Sequence, residues 1–157
     1  MGTEIERKFL VINESYKTLA EGIPYRQGYL KIHPSCTIRV RTVGQKGFLT
    51  VKGLTTGVSR REFEYEIPIE DAAAMLDGFC EKPLIEKNRY IIQQDVFTWE
   101  VDEFLEENQG LVLAEVELDD ERRPVDKPGW VGQEVSGDPK YFNSNLVRNP
   151  YKGWSET

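Results

Sequence analysis

Glu4-Ile5-Glu6-Arg7-Lys8 sets two carboxylates and an amine at alternate positions near the start of the chain. In an extended strand alternate side chains share a face, so Glu4, Glu6 and Lys8 project together while Ile5, Arg7 and Phe9 take the other side. Two neighbouring carboxylates repel, and three things relieve them: a metal ion, a basic neighbour or water. The same spacing returns along the chain. Arg39 with Arg41, Thr50 with Lys52, and Lys87 with Arg89 form basic or polar pairs, whereas Glu62, Glu64 and Glu66, Glu100 and Asp102, and Glu115 and Glu117 form acidic sets. An antiparallel strand with one wet face alternates in this way by itself. Two details argue for more than a wet face. The signs are segregated by strand, where a merely soluble face mixes them. The alternate positions are also strongly apolar, with Val40, Val51, Phe63, Tyr65, Ile67, Val116 and Leu118 making a second face fit for packing.

A sheet closed with the charged faces inward would enclose a polar tunnel. Unpaired dry charges there would each cost several kcal/mol, so the tunnel must hold water and counterions. Carboxylates are hard oxygen ligands suited to magnesium or manganese, which keep some waters and bind jointly with phosphates. Arginine and lysine pairs grip phosphate oxygens. A lining that contains both fits a metal complex of a polyphosphate.

The elements that must carry these residues follow from the period of two. Strands are predicted over residues 3–11, 25–32, 37–43, 48–52, 59–67, 84–93, 97–104 and 111–118, with His33-Pro34 and Pro68 as stops and Gly44-Gln45-Lys46-Gly47 as a hairpin turn. A helix is predicted over 70–79, with Glu70 and Asp71 in its first turn and Met75, Leu76 and Phe79 on its apolar side. A short helix fits within 13–22. Another should start with Asp138 as N-cap and Pro139 in first position, running through Tyr141, Phe142 and Leu146. Eight strands and few helices in so short a chain favour a mainly β, α+β fold: an antiparallel barrel or sandwich with helices laid outside.

At 157 residues the chain is one domain, 1–157, and its 39% hydrophobic and 30% charged content is that of a globular protein. A net charge of -7 argues against a nucleic-acid coat or an anionic-membrane binder. Cys36 and Cys80 form no CxxC pair, and no apolar run approaches a membrane span, so a reduced, cytoplasmic protein is expected. His33, the only histidine, and the three tryptophans Trp99, Trp130 and Trp154 are assigned no chemistry.

The ordered series ExExK, Arg26-Gln27-Gly28-Tyr29-Leu30, Arg39-Val40-Arg41, Thr50-Val51-Lys52, Lys87-Asn88-Arg89-Tyr90 and Ala114-Glu115-Val116-Glu117-Leu118 resembles the CYTH family of triphosphate tunnel metalloenzymes, which includes class IV adenylyl cyclases, thiamine triphosphatases and bacterial inorganic tripolyphosphatases. The resemblance runs from Glu4 to about Leu146, and implies an eight-stranded antiparallel tunnel. It implies that Glu4 and Glu6, helped by Asp102, Glu115 and Glu117, hold divalent magnesium or manganese, with Glu62 and Glu64 as further acidic lining. It further implies that Lys8, Arg39, Arg41, Lys52, Lys87 and Arg89 bind the triphosphate, that Lys140 closes the tunnel, and that Lys8 and Tyr29 assist an attacking water. The expected activity is metal-dependent hydrolysis of inorganic tripolyphosphate or a small organic triphosphate. The alternatives are a cyclase making cyclic AMP from ATP and a non-catalytic polyphosphate-binding module. The expected partner is a small-molecule triphosphate, with no nucleic acid or membrane, and a homodimer is left open.

Overall fold

The computed structural model describes residues 2–33 and 35–154. Its strands are β1 (Gly2–Val11), β2 (Ile23–His33), β3 (Cys36–Val43), β4 (Lys46–Gly53), β5 (Ser59–Ile67), β6 (Ile85–Gln94), β7 (Phe97–Phe104), β8 (Val112–Glu117) and β9 (Val131–Glu134), with helices α1 (Ile69–Gly78) and α2 (Asn143–Arg148). Pro34, expected to end the second strand, lies outside the described residues.

The strands pair in the order β5-β4-β3-β2-β6-β7-β8-β1, and a further β5–β1 pairing closes the sheet into an eight-stranded antiparallel ring. β1 makes closure possible by dividing one of its edges. Glu4 pairs with Arg60 of β5, whereas Phe9 and Val11 pair with Glu134 and Val131 of β9, while the other edge carries β8 in the register Glu6↔Glu117 and Lys8↔Glu115. The ninth strand is thus an outside rider rather than a stave. At only four residues and interrupted by Gly132, it offers no length of alternation to read in the sequence.

The sheet is inside out relative to an ordinary barrel. Apolar alternates point outward, where Phe9, Trp99, Val101, Val116, Tyr16 and Trp130 form one core against the loops. A second core lies on the inward face instead: Tyr29, Ile85, Phe104 and Leu113 share faces with lining residues of the same strands and pack against Leu146 and Val147 of α2. A third lies under α1, where Ala72 and Leu76 pack on Val40 and Cys80. Gly28 is required at that contact, because a Cβ there would stand 2.7 Å from Leu84 Cδ2 and 2.8 Å from Cys80 Cβ. Arg7 also faces outward, as its spacing predicts, and forks onto Glu134 with bonds of 2.9 and 2.6 Å.

Three local expectations change. Phe79, expected on the packed side of the first helix, is 77% exposed, because α1 ends at Gly78 and the chain turns before that position reaches the core. The predicted C-terminal helix is two pieces. Asp138 does cap Lys140 N–H through its carboxylate, but only a 3₁₀ turn follows (Pro139–Tyr141), and Phe142 in extended geometry separates it from α2. The short helix within 13–22 is the 3₁₀ turn Ser15–Thr18. Among the described residues no helix is long and apolar enough to cross a membrane.

Candidate active site

Ring order turns alternation along strands into two opposed walls. The inward residues of β7, β8, β1 and β5, four neighbouring strands, supply Glu100, Glu115, Glu117, Glu4, Glu6, Glu62 and Glu64; those of β4, β3 and β6, on the other side, supply Lys52, Arg39, Arg41, Lys87 and Arg89. All of these line one cavity of 320 Å³. Two cations sit on the acidic side, Lys8 and Arg60. Arg60 and Glu100 join the lining beyond the expected site residues; the signal is their spacing, Arg60 in step with Glu62 and Glu64, and Glu100 with Asp102.

Within the acidic wall the carboxylates come in pairs. Glu6 and Glu115 share a hydrogen bond in a buried setting; burial, then the Glu115 charge, pushes Glu6 well above the usual carboxylate range. Glu115 falls well below that range despite its own burial, because Lys8 lies beside it with Nζ at 3.4 Å and because it accepts from Glu6. Both shifts favour the proton on Glu6 over Glu115. Glu4 and Glu62 form a second hydrogen-bonded pair, in which burial raises Glu4 and the bond from Glu4 lowers Glu62. Glu4 is also bound by Lys52 Nζ at 3.1 Å and lies 3.8 Å from Arg60 Nε. Glu64 bonds to Arg41 at 3.0 Å and accepts from Thr50 at 3.1 Å.

Two of the expected residues are placed elsewhere. Asp102 is 3% exposed and lies behind the lining: Arg89 donates to both its oxygens at 2.8 and 2.9 Å, and Lys87 Nζ to Oδ2 at 2.7 Å. Those cations hold its carboxyl down at about 2 against the pull of burial. The same contact treats Lys87 differently, since burial outweighs its share of a carboxylate already claimed by Arg89 and lowers its amine to about 7. Lys140 does not reach the cavity. Its ammonium sits over the rings of Trp154 and Tyr141, at 4.8 and 5.3 Å, outside the tunnel.

Lys8 and Tyr29 both line the cavity without bonding to each other. Lys8 Nζ donates to the Tyr141 carbonyl at 3.1 Å, and the Tyr29 hydroxyl accepts from Gln27 at 3.5 Å. Burial raises the Tyr29 phenol, which keeps it a neutral donor. Asn143, at the start of α2, lies across the cavity and accepts from Gln27 at 3.2 Å and Lys87 at 3.0 Å.

The donor set of the acidic wall suits a divalent ion. It consists of carboxylate oxygens, the ligands of magnesium and manganese rather than of softer metals. Among the described residues no three acidic, histidine or cysteine side chains already surround a common point. The Glu6–Glu115 pair nonetheless fits, because two buried carboxyls that must share a proton are the kind of pair a cation can occupy in its place, with water and phosphate completing the shell. The opposite wall carries the complementary signal: the buried Nε atoms of Arg39 and Arg41 have no hydrogen-bond partner among the described residues. A buried guanidinium donor without an acceptor is costly and rare.

Comparison with known proteins agrees with this picture. The CYTH domain pattern matches residues 2–151. An inorganic triphosphatase of Acetivibrio thermocellus is 58% identical over 99% of this chain and 100% of its own length. One from Nitrosomonas europaea is 37% identical over 92% of this chain and 97% of its own. A crystal structure of an inorganic triphosphatase superposes with a TM-score of 0.67 at 32% identity, covering 91% of this chain and 96% of the other.

Proposed function

This chain belongs to the CYTH domain family, and from that premise we propose that its tunnel hydrolyses a terminal phosphoanhydride of inorganic tripolyphosphate with a divalent ion, magnesium or manganese. It is a phosphoanhydride hydrolase whose substrate is a small-molecule triphosphate. The observation that carries the finer reading is the pair of opposed walls, one with buried guanidinium donors lacking an acceptor and the other with carboxyls forced to share protons.

In this reading Arg39, Arg41, Lys52, Lys87 and Arg89 bind the phosphate oxygens, and Lys8 and Arg60 reach them from the acidic side. Glu6 and Glu115 hold the ion, with Glu4, Glu62 and Glu117 nearby; Glu64 keeps Arg41 in place. Asp102 braces the basic wall instead of touching the ion, and Lys140 has no part. When bound, the ion supplies charge neutralisation at phosphate oxygens and an acidified water. Charge in phosphoryl transfer is spread over those oxygens, so fixed cations do most of the work and little covalent chemistry is needed. Lys8 and Tyr29 orient the water, Tyr29 as a neutral hydroxyl. Two free cysteines, Cys36 and Cys80, fit the reducing cytoplasm.

Among the described lining residues only Tyr29, Phe142 and Val58 are sizeable and apolar, which gives an adenine ring little to stack on. That favours an inorganic substrate. The test is phosphate release from tripolyphosphate, ATP and thiamine triphosphate, each with magnesium and with manganese. Tripolyphosphate should be turned over fastest. Cyclic AMP from ATP without phosphate release would sink the hydrolase reading, and no product under any condition would leave a binding module.

A further inference from the structure

The basic wall continues into a row of alternating rings and guanidiniums. Phe48 of β4, Arg41 of β3, Tyr25 of β2 and Arg89 of β6 stand on four neighbouring strands in ring order. The Arg41 guanidinium lies 5.6 Å from the Phe48 centroid and 5.2 Å from that of Tyr25, and Arg89 lies 4.8 Å from Tyr25. The register makes the row: Phe48 faces Arg41 across β3–β4, while Tyr25 faces Val43 on one side and Lys87 on the other, diagonal to both arginines. Tyr25 keeps step with Gln27 and Tyr29 on the inward face of β2, yet it is not part of the cavity lining.

Arg41 needs such a device more than Arg89 does. Arg89 is bound by Asp102 and Glu100, whereas among the described residues Arg41 has one carboxylate partner, Glu64, and a buried Nε with none. Burial and the charges of Arg39 and Arg89 push Arg41 below the usual guanidinium range. Without an anion, like charges brought this close should swing apart and blunt the site. An aromatic face attracts a cation by its quadrupole without supplying a counter-charge, so it can hold a guanidinium while leaving its edge donors free for phosphate.

We propose that Tyr25, backed by Phe48, is a positioning residue that holds Arg41 beside the carboxylate-anchored Arg89 in the geometry that receives the triphosphate before it arrives. The proposal rests on the triphosphate reading of the tunnel. Its work is done by the ring face, not by the hydroxyl, and it acts on substrate capture rather than on the chemical step.

The test compares wild type with Tyr25→Phe, Tyr25→Leu and Phe48→Leu. Steady-state hydrolysis of tripolyphosphate is measured, and tripolyphosphate binding is measured by calorimetry without metal. Thermal melting of each free variant reports folding. Tyr25→Leu should raise KM and Kd about 10-fold with kcat within about 2-fold, as two lost cation–π contacts suggest. Phe48→Leu should do the same to a smaller extent, and Tyr25→Phe should behave as wild type. Unchanged KM and Kd in a folded Tyr25→Leu, a kcat loss at constant KM, or a Tyr25→Phe as impaired as Tyr25→Leu would each overturn the proposal. A wild-type chain that neither binds nor hydrolyses tripolyphosphate would overturn it too, and that pattern, with the fault already in wild type, would mark the functional reading as the cause.

Discussion

Arg89 grips Asp102 with two parallel bonds, Nε to Oδ1 at 2.8 Å and Nη2 to Oδ2 at 2.9 Å, behind the surface that faces the tunnel. Lys87 adds a third bond at 2.7 Å. One buried carboxylate thus anchors two of the cations assigned to the triphosphate. Removing one member of a buried charge network leaves the others uncompensated, at a cost of about 3–5 kcal/mol. Asp102→Ala should lower stability by that amount in denaturant unfolding without metal. Unchanged stability with a raised metal requirement would instead return Asp102 to the ligand set.

Lys87 offers a prediction about protons. Burial lowers its amine from 10.5 to about 7, so between those values the free folded protein binds fewer protons than the unfolded chain. By linkage, this group makes the free protein more stable as pH rises through that window. A bound triphosphate favours the charged amine again, so binding must take up protons there, approaching about one at the middle of the window. Calorimetry at pH near 8.5 in buffers of different ionisation enthalpy, without metal, should detect the uptake. Lys87→Arg, charged throughout, should abolish it.

Glu6→Gln should separate stability from activity. Glu6 is raised by burial and by Glu115, which favours its neutral form in the free protein, and the neutral amide should leave thermal stability without metal nearly unchanged. The amide cannot ionise to join Glu115 around a cation. Tripolyphosphate turnover should fall at least ~100-fold, the scale of a few kcal/mol of lost stabilisation. Full turnover in a folded Glu6→Gln would remove Glu6 from the ion site.

Most of the lining was legible because a strand's period of two writes the inward face directly into sequence, as at Glu4, Glu6 and Lys8 or Arg39 and Arg41. Which carboxylates stand free was not legible. Glu100 and Asp102 have the same spacing as Glu115 and Glu117, but pairing Asp102 with Arg89 across β6–β7 spends its oxygens on the wall, and that register is a property of the sheet. Tyr25 escaped notice for a similar reason: the cations it meets come from strands on both sides of β2. The C-terminal segment was misread because Phe142 is extended between two short helical pieces, and a four-residue β9 carries too little pattern to recognise.

Asn143 ties that C-terminal segment to the tunnel wall at Gln27 and Lys87. At six residues α2 is too short to persist alone, so it depends on tertiary anchors. Leu146 and Val147 supply the apolar anchor in the core with Tyr29 and Ile85. Asn143 supplies a polar one, through Gln27 on β2 and Lys87 on β6, beside the Lys8 bond to the Tyr141 carbonyl and the Arg148–Glu81 pair. Asn143→Ala would strip an acceptor from two buried donors, costing about 1–3 kcal/mol, while the apolar anchor remains. The loss should therefore be local as well as global: amide exchange should quicken over residues 143–146 more than in the barrel strands. Asn143→Asp should do the reverse for closure, because a carboxylate beside Lys87 is a stronger acceptor, yet it places negative charge where the triphosphate must bind. It should hold the segment at least as firmly as wild type and raise KM, whereas Ala should loosen the segment. If both variants loosened it equally, shape rather than hydrogen bonding would be what Asn143 contributes.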